Sequence, residues 1–316
     1  MKSEKICLVV IFNHRFDRNL PLLRHIYGKR FSHIRFLVPF YDGADSDVIP
    51  VYESSYQFQG YIIQAYEKLN NLQCSHYLFI GDDVIINPQF DENNFISLTT
   101  RGRQSSLKFL TTNFQPLNRP NAFSWYWTAG SSKPFFDRST SYKESIPTYA
   151  EALSKFNAFF GVTYNEFYTE EFFGDPTKFF NTVIGGWNDI NGFINVVNQF
   201  IATNGGTLKI PYPMAGGYSD IFCVEKSRLF EFARLCGIFA AMNMFCEIAI
   251  PTAAVLTFER NEVAFFPPNS RKVFWGNERL AFEEKYNLDF DRFYKDWDPS
   301  VIYVHPVKLS KWAIKM

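Results

Sequence analysis

A chain of 316 residues, 47% of them hydrophobic, is long enough for one large domain with a sizeable core. Its 32 acidic and 32 basic residues cancel, so no net field draws it to nucleic acid or to an anionic membrane, and any electrostatics must be local. Five cysteines, Cys7, Cys74, Cys223, Cys236 and Cys246, lie mostly inside apolar runs without CxxC spacing, which reads as reduced core thiols and a cytoplasmic protein.

The first apolar run, ICLVVIF, ends at Asn13 and His14. It is too short for a secretory segment and is expected as a first buried strand. LPLLRHIYGK has helix spacing, HIRFLVPF reads as a second strand closed by Tyr41, Asp42 and Gly43, and DVIPVYES as a short edge strand. GYIIQAYEKLNNL is an amphipathic helix with Ile62, Ile63, Tyr66 and Leu69 on one side, and HYLFIG is the next buried strand. This alternation predicts an α/β protein with a mostly parallel sheet flanked by helices, its ligands at the carboxyl ends of the strands. Asn13, His14, Asp42, Asp82 and Asp83 all fall at such ends.

Residues 101–206 lose this regularity and read as an aromatic-rich helical insertion or subdomain. One helix is expected over IPTYAEALSKFNAFFG, with Pro147 near its start and Gly161 after its end, and another over NDINGFINVVNQFIATNGG. Trp125, Trp127 and Trp187 offer faces for sugar rings, although core packing is the commoner use of any one tryptophan. Beyond the insertion, PYPMAGGYSDIFCVEKSRLFEFARLCGIF predicts a Gly-Gly turn, a strand and a long helix. The apolar stretch from Cys236 to Leu256 is interrupted by Asn243, Glu247 and Pro251, which favours a buried helix over a membrane span. KVFWGNERLAFEEKYNLDF is a polar amphipathic segment, and VIYVHPVKLSKW a last strand ending at His305.

The chemistry concentrates in YLFIGDDVIINP, where a buried strand delivers two adjacent carboxylates to one point. Such a pair repels unless a cation or hydrogen-bond donors share the charge. Mg²⁺ and Mn²⁺ suit it, because they use one or two protein carboxylates and take their other ligands from water and substrate phosphates. An Asp-Asp turn eased by Gly81 is the plain structural alternative. Glu247, in an otherwise apolar helix, should have a raised pKa and suit a general base; a buried Glu paired with Arg or Lys is the alternative. The absence of GxxxxGK[ST], of GxGxxG after the first strand, of HExxH and of GxSxG counts against kinases, dehydrogenases, zincins and hydrolases.

At these residues the chain resembles the nucleotide-sugar glycosyltransferases of GT-A fold. In that family an acidic DxD-type motif follows a buried strand; YLFIGDDVIINP looks like it, with Asp83 in the final metal-binding position and Gly81 where many members carry the first acid. YDGADSD resembles the nucleoside-holding loop, with Asp42 as its acid. MAGGYSDIFCVEKSRLFEF is similar to the Gly-rich acceptor-side segment, bringing Gly216, Gly217 and Asp220, with Trp187 as a further acceptor contact. Glu247 resembles the acid that deprotonates the acceptor hydroxyl in inverting members, and His305 the C-terminal histidine that reaches the metal or diphosphate, with Lys308 adding charge against phosphate.

The resemblance implies one GT-A-like domain over 1–316, with a nucleotide-binding half at 1–100, an insertion or acceptor-side subdomain at 101–206, and an acceptor-binding half at 207–316. It implies a hexosyltransferase-type enzyme of polysaccharide biosynthesis, moving a sugar from a UDP- or GDP-sugar to a hydroxyl of a saccharide or lipid-linked glycan. Asp83 and His305 would hold Mn²⁺ or Mg²⁺, and Asn13, Asp42, Gln64 and Asp82 would serve the donor nucleotide. A lipid-linked acceptor would add peripheral contact with the inner face of the membrane. Two other readings stay open: a non-catalytic glycan-binding module on a degenerate transferase fold, and a nucleotidyltransferase, for which FNHRFDRNLP lacks the basic glycine-rich loop.

Overall fold

The structure, a computed structural model, describes residues 5–100, 107–117, 141–164 and 205–315, with positions 131, 134–135, 167–169, 199 and 202–203 between them. The apolar run at the start forms β1 (Ile6–Ile11), buried along its whole length, as a strand covered on both faces must be. Helix α1 (Asn19–Tyr27), β2 (Ile34–Pro39), β3 (Val48–Val51), α2 (Gln59–Asn70) and β4 (His76–Gly81) follow in the expected order. Next come β5 (Ile85–Ile86), α3 (Phe95–Thr100), β6 (Phe109–Thr111), β7 (Gln115–Pro116), α4 (Tyr149–Phe160), β8 (Phe167–Thr169), β9 (Thr207–Lys209) and β10 (Ala215–Gly216). The chain then forms β11 (Ile221–Glu225), α5 (Leu229–Ala241), α6 (Cys246–Thr257), β12 (Val263–Phe265), β13 (Arg271–Val273), α7 (Gly276–Tyr286), α8 (Phe290–Lys295) and β14 (Tyr303–His305).

Seven strands make the central sheet in the order β12-β6-β11-β4-β1-β2-β3. All run parallel except β11, which is antiparallel to both β4 and β6. Alternation along β1 divides the interior in two. Cys7, Val9 and Ile11 join one core with α2, α4, α5 and α6, and Leu8, Val10 and Phe12 join the other with α1, α7 and α8. On the first face, Phe222 of β11 stacks on Phe79 of β4 at 4.9 Å and on Phe109 of β6 at 6.1 Å. Helices α2 and α5 approach so closely that a Cβ on Gly237 would lie 2.6 Å from Ile63 Cγ2. Thr148 caps α4 in a reciprocal box with Glu151, and Gly161 closes it in the left-handed conformation. A second, three-stranded sheet, β13-β14-β5, lies beside the first.

Two expectations need correction. The stretch from Cys236 to Leu256 is two helices, α5 and α6, broken where Asn243 takes a φ of 58°. Both helices pack into the same core, and apolar residues flank the bend on either side. Gly216 and Gly217 are not a turn: Gly216 pairs with Gln115 in an extended ladder, and a Cβ on Gly217 would lie 2.7 Å from the Cβ of Phe114. Close backbone approach is the reason for glycine at 217. The helix expected over NDINGFINVVNQFIATNGG lies largely outside the described residues. Among the described residues no helix is long and apolar enough to cross a membrane, and all five cysteines are free thiols.

Truncating the ring at the centre of the sheet should be costly. Phe222→Ala is expected to lower the unfolding free energy by about 3–5 kcal/mol in urea denaturation, and a loss below about 1 kcal/mol would mean the stack contributes little.

Candidate functional site

Strand β4 carries Gly81, Asp82 and Asp83 to the carboxyl edge of the sheet, and three backbone hydrogen bonds fix what meets them there. The Gly81 N–H donates to the Asp220 carbonyl (2.9 Å), the Asp82 N–H to the Ile11 carbonyl (2.8 Å), and the Val307 N–H to the Asp83 carbonyl (2.7 Å). Segments from β1, from the approach to β11 and from the end of β14 therefore converge on the tripeptide Gly81-Asp82-Asp83. Register does the rest: Val304 pairs with Ile85, which sets His305 beside the chain just after Asp83.

His305 sits between two acids. Its Nε2 faces Asp83 Oδ1 at 3.4 Å and its Nδ1 faces Asp220 Oδ2 at 3.6 Å. Lys308 Nζ contacts the other oxygen of Asp83. Burial alone would push the Asp83 carboxyl up, but His305 and Lys308 outweigh it and bring the pKa to about 2. Burial first, and then the charge of Asp83, push Asp82 up to about 7. Burial works to lower the His305 pKa, yet the charges of Asp220 and Asp83 prevail and raise it. Asp220 is itself raised, chiefly by burial.

Glu247 joins this group through a backbone device. Pro251, one turn later in α6, has no N–H to give the Glu247 carbonyl, and that carbonyl instead accepts the Gly217 N–H at 3.0 Å. The residue at the head of α6 is thereby tied to the segment carrying Asp220. Burial, with the Asp220 charge added, holds the Glu247 carboxyl well above its ordinary value. Arg271 of β13 lies over the Tyr218 ring at 4.9 Å, and Trp275, 56% exposed, meets His305 edge to face at 5.6 Å.

The sequence candidates thus divide. Asp82, Asp83, Gly216, Gly217, Asp220, Glu247 and His305 lie on segments joined by the contacts just described, and the Asn13 N–H points at Asp82 Oδ1 at 3.4 Å. Asp42 stands apart, exposed and paired with Arg15, which holds its carboxyl below the usual range. Gln64 serves the fold: its Oε1 accepts the Tyr52 N–H (2.8 Å) just past β3. Trp125, Trp127 and Trp187 lie outside the described residues. Arg271, Trp275 and an aromatic pair went unread in the sequence. That pair is Phe40 and Tyr52, 62% and 63% exposed, edge to face at 5.9 Å past the ends of β2 and β3. Phe40 has a φ of 52°, strained for a bulky residue, and Arg15 Nη1 donates to its carbonyl at 3.0 Å. Their signal was position alone, an aromatic directly after a strand.

Asp83 Oδ1, Asp220 Oδ2 and His305 Nδ1 are buried without a hydrogen bond. Asp83 Oδ1 faces His305 Nε2 at 3.4 Å, and that oxygen and nitrogen pair, with the imidazole neutral, is one that a divalent ion can use. Among the described residues no group of three or more His, Cys, Asp or Glu side chains is arranged to hold a metal ion. A fitting ion would therefore use two protein ligands, Asp83 and His305, and take the others from solvent and ligand.

Because its pKa is raised on folding, Glu247 keeps a proton in the folded state that the unfolded chain loses, so its contribution to stability falls as pH rises above the ordinary Glu value of 4.5. Glu247→Gln removes that dependence. The variant should melt with wild type at pH 4 and a few degrees above it at pH 8 in thermal denaturation; equal melting at both would show that Glu247 ionises freely in the folded protein.

A scan against protein-family models and a search of curated proteins found no match to this chain.

Proposed function

We propose that this protein is a GT-A-like glycosyltransferase that moves a sugar from a UDP- or GDP-sugar to a hydroxyl of a saccharide or lipid-linked glycan, with inversion at the anomeric carbon. The observation that carries the reading is the meeting of Asp83, Asp220, His305 and Lys308 at the carboxyl edge of a largely parallel sheet, with Glu247 tied to the same segment. Asp83 and Asp220 each lie within 3.6 Å of His305 although the three are far apart in the sequence.

The donor would lie across the strand ends. Phe40 and Tyr52 offer exposed ring faces for a base beyond β2 and β3, and Asp42 and Arg15 offer polar contacts beside them. From the end of β2 to the end of β4 is two strand spacings, about 10 Å, a span that suits a nucleoside diphosphate reaching from base to phosphates. Lys308 supplies positive charge where the phosphates would end. Mn²⁺ or Mg²⁺ held by Asp83 and His305 would offset the charge that builds on the departing diphosphate. Trp275 presents an exposed face for a sugar ring next to His305.

Glu247 takes the proton of the attacking acceptor hydroxyl, and its low-dielectric setting makes its ionised form a strong base. Since only the ionised carboxylate can act, its raised pKa moves the activity limb to higher pH.

Three results are expected. Titration calorimetry should detect UDP or GDP binding that depends on Mn²⁺ in wild type and is lost in Asp83→Asn. Glu247→Gln should bind the donor normally and lose about 10²–10⁴-fold in transfer. The kcat/KM for transfer should climb with pH over a range well above the ordinary Glu value of 4.5. Saccharide binding without any nucleotide binding would instead identify a glycan-binding module, and full activity of Glu247→Gln would remove it as the base.

A further inference from the structure

We infer that Lys308 is a displaceable cation, which neutralises Asp83 while no divalent ion is bound and passes to the donor diphosphate when one is, so that ion and nucleotide strengthen each other's binding. This rests on the proposed function of the same site.

The geometry gives Lys308 both positions. Its Nζ contacts Asp83 Oδ2, while the other oxygen of that carboxylate faces His305. The Asp83 side chain is only 6% exposed and cannot stay charged without a partner. The Lys308 side chain is 42% exposed, so its ammonium can leave the contact for the open side of the site without unpacking a core. Its backbone need not move, because the neighbouring Val307 N–H is tied to the Asp83 carbonyl at 2.7 Å. Only the four-carbon arm swings.

A divalent ion on Asp83 would face the ammonium across a few ångströms, and like-charge repulsion would eject Lys308. In the absence of nucleotide, ejection leaves the ammonium with water alone, so Lys308 competes with the ion and weakens its binding. A diphosphate gives the ejected ammonium a new anionic partner at the same edge and removes that penalty. By linkage, the ion strengthens nucleotide binding by the same factor.

Calorimetry of the full chain with Mn²⁺ alone, with UDP or GDP alone, and with both tests this directly. Lys308→Met should bind Mn²⁺ alone at least about fivefold more tightly than wild type, the scale of one unit charge removed at about 4 Å in water. It should bind nucleotide more weakly, and the mutual enhancement should shrink. Lys308→Gln, which can keep a hydrogen bond to Asp83 without the charge, makes the same test if the Met variant melts early, and Lys308→Arg should retain the competition. Neutral variants that bind Mn²⁺ no more tightly than wild type would overturn the inference while leaving the proposed function standing, provided wild type shows Mn²⁺-dependent nucleotide binding that Asp83→Asn abolishes. Absence of such binding in wild type would remove the proposed function, and this inference with it.

Discussion

A carboxylate buried at the end of a strand stays charged only while positive charge stays beside it. Asp83 is such a group, and much of the carboxyl edge is organised around it. Its carbonyl holds Val307, its two side-chain oxygens face His305 and Lys308, and the residues before it hold the β1 and β11 segments in place. His305 extends the arrangement by standing between Asp83 and Asp220. The site is therefore a balance of buried charges whose parts are mutually dependent.

The segment that carries Asp220 is joined to this balance by backbone chemistry. Pro251 withholds one hydrogen bond inside α6, and the carbonyl so released holds Gly217. Gly217 in turn can lie against Phe114 only because it lacks a side chain. Two residues usually treated as interruptions of regular structure thus connect a helix head to the loop that carries Asp220.

Most of the central sheet was legible because strands buried on both faces read as continuous apolar runs and their helices read by spacing. The Asp-Asp pair was legible for the same reason, since charge at the end of such a run is conspicuous. The bend at Asn243 was hidden because the two helices pack into one core and apolar residues flank it on either side. Gly216 and Gly217 resembled a turn, when the requirement was close contact with a strand distant in sequence. Arg271, Trp275 and the pairing of Lys308 with Asp83 depend on the register of β14 against β5, which no local pattern encodes.

That register pairs Asp83 with a lysine 225 positions further along the chain. During synthesis the β1 to β4 portion emerges long before β14, and it carries Asp83 without either of its cations. The growing chain can then lay down four parallel strands but has nothing to hold the acidic pair in its final charge state. The charge balance is therefore completed only when the C-terminal strand arrives, and a polypeptide interrupted before it would lack both partners of Asp83.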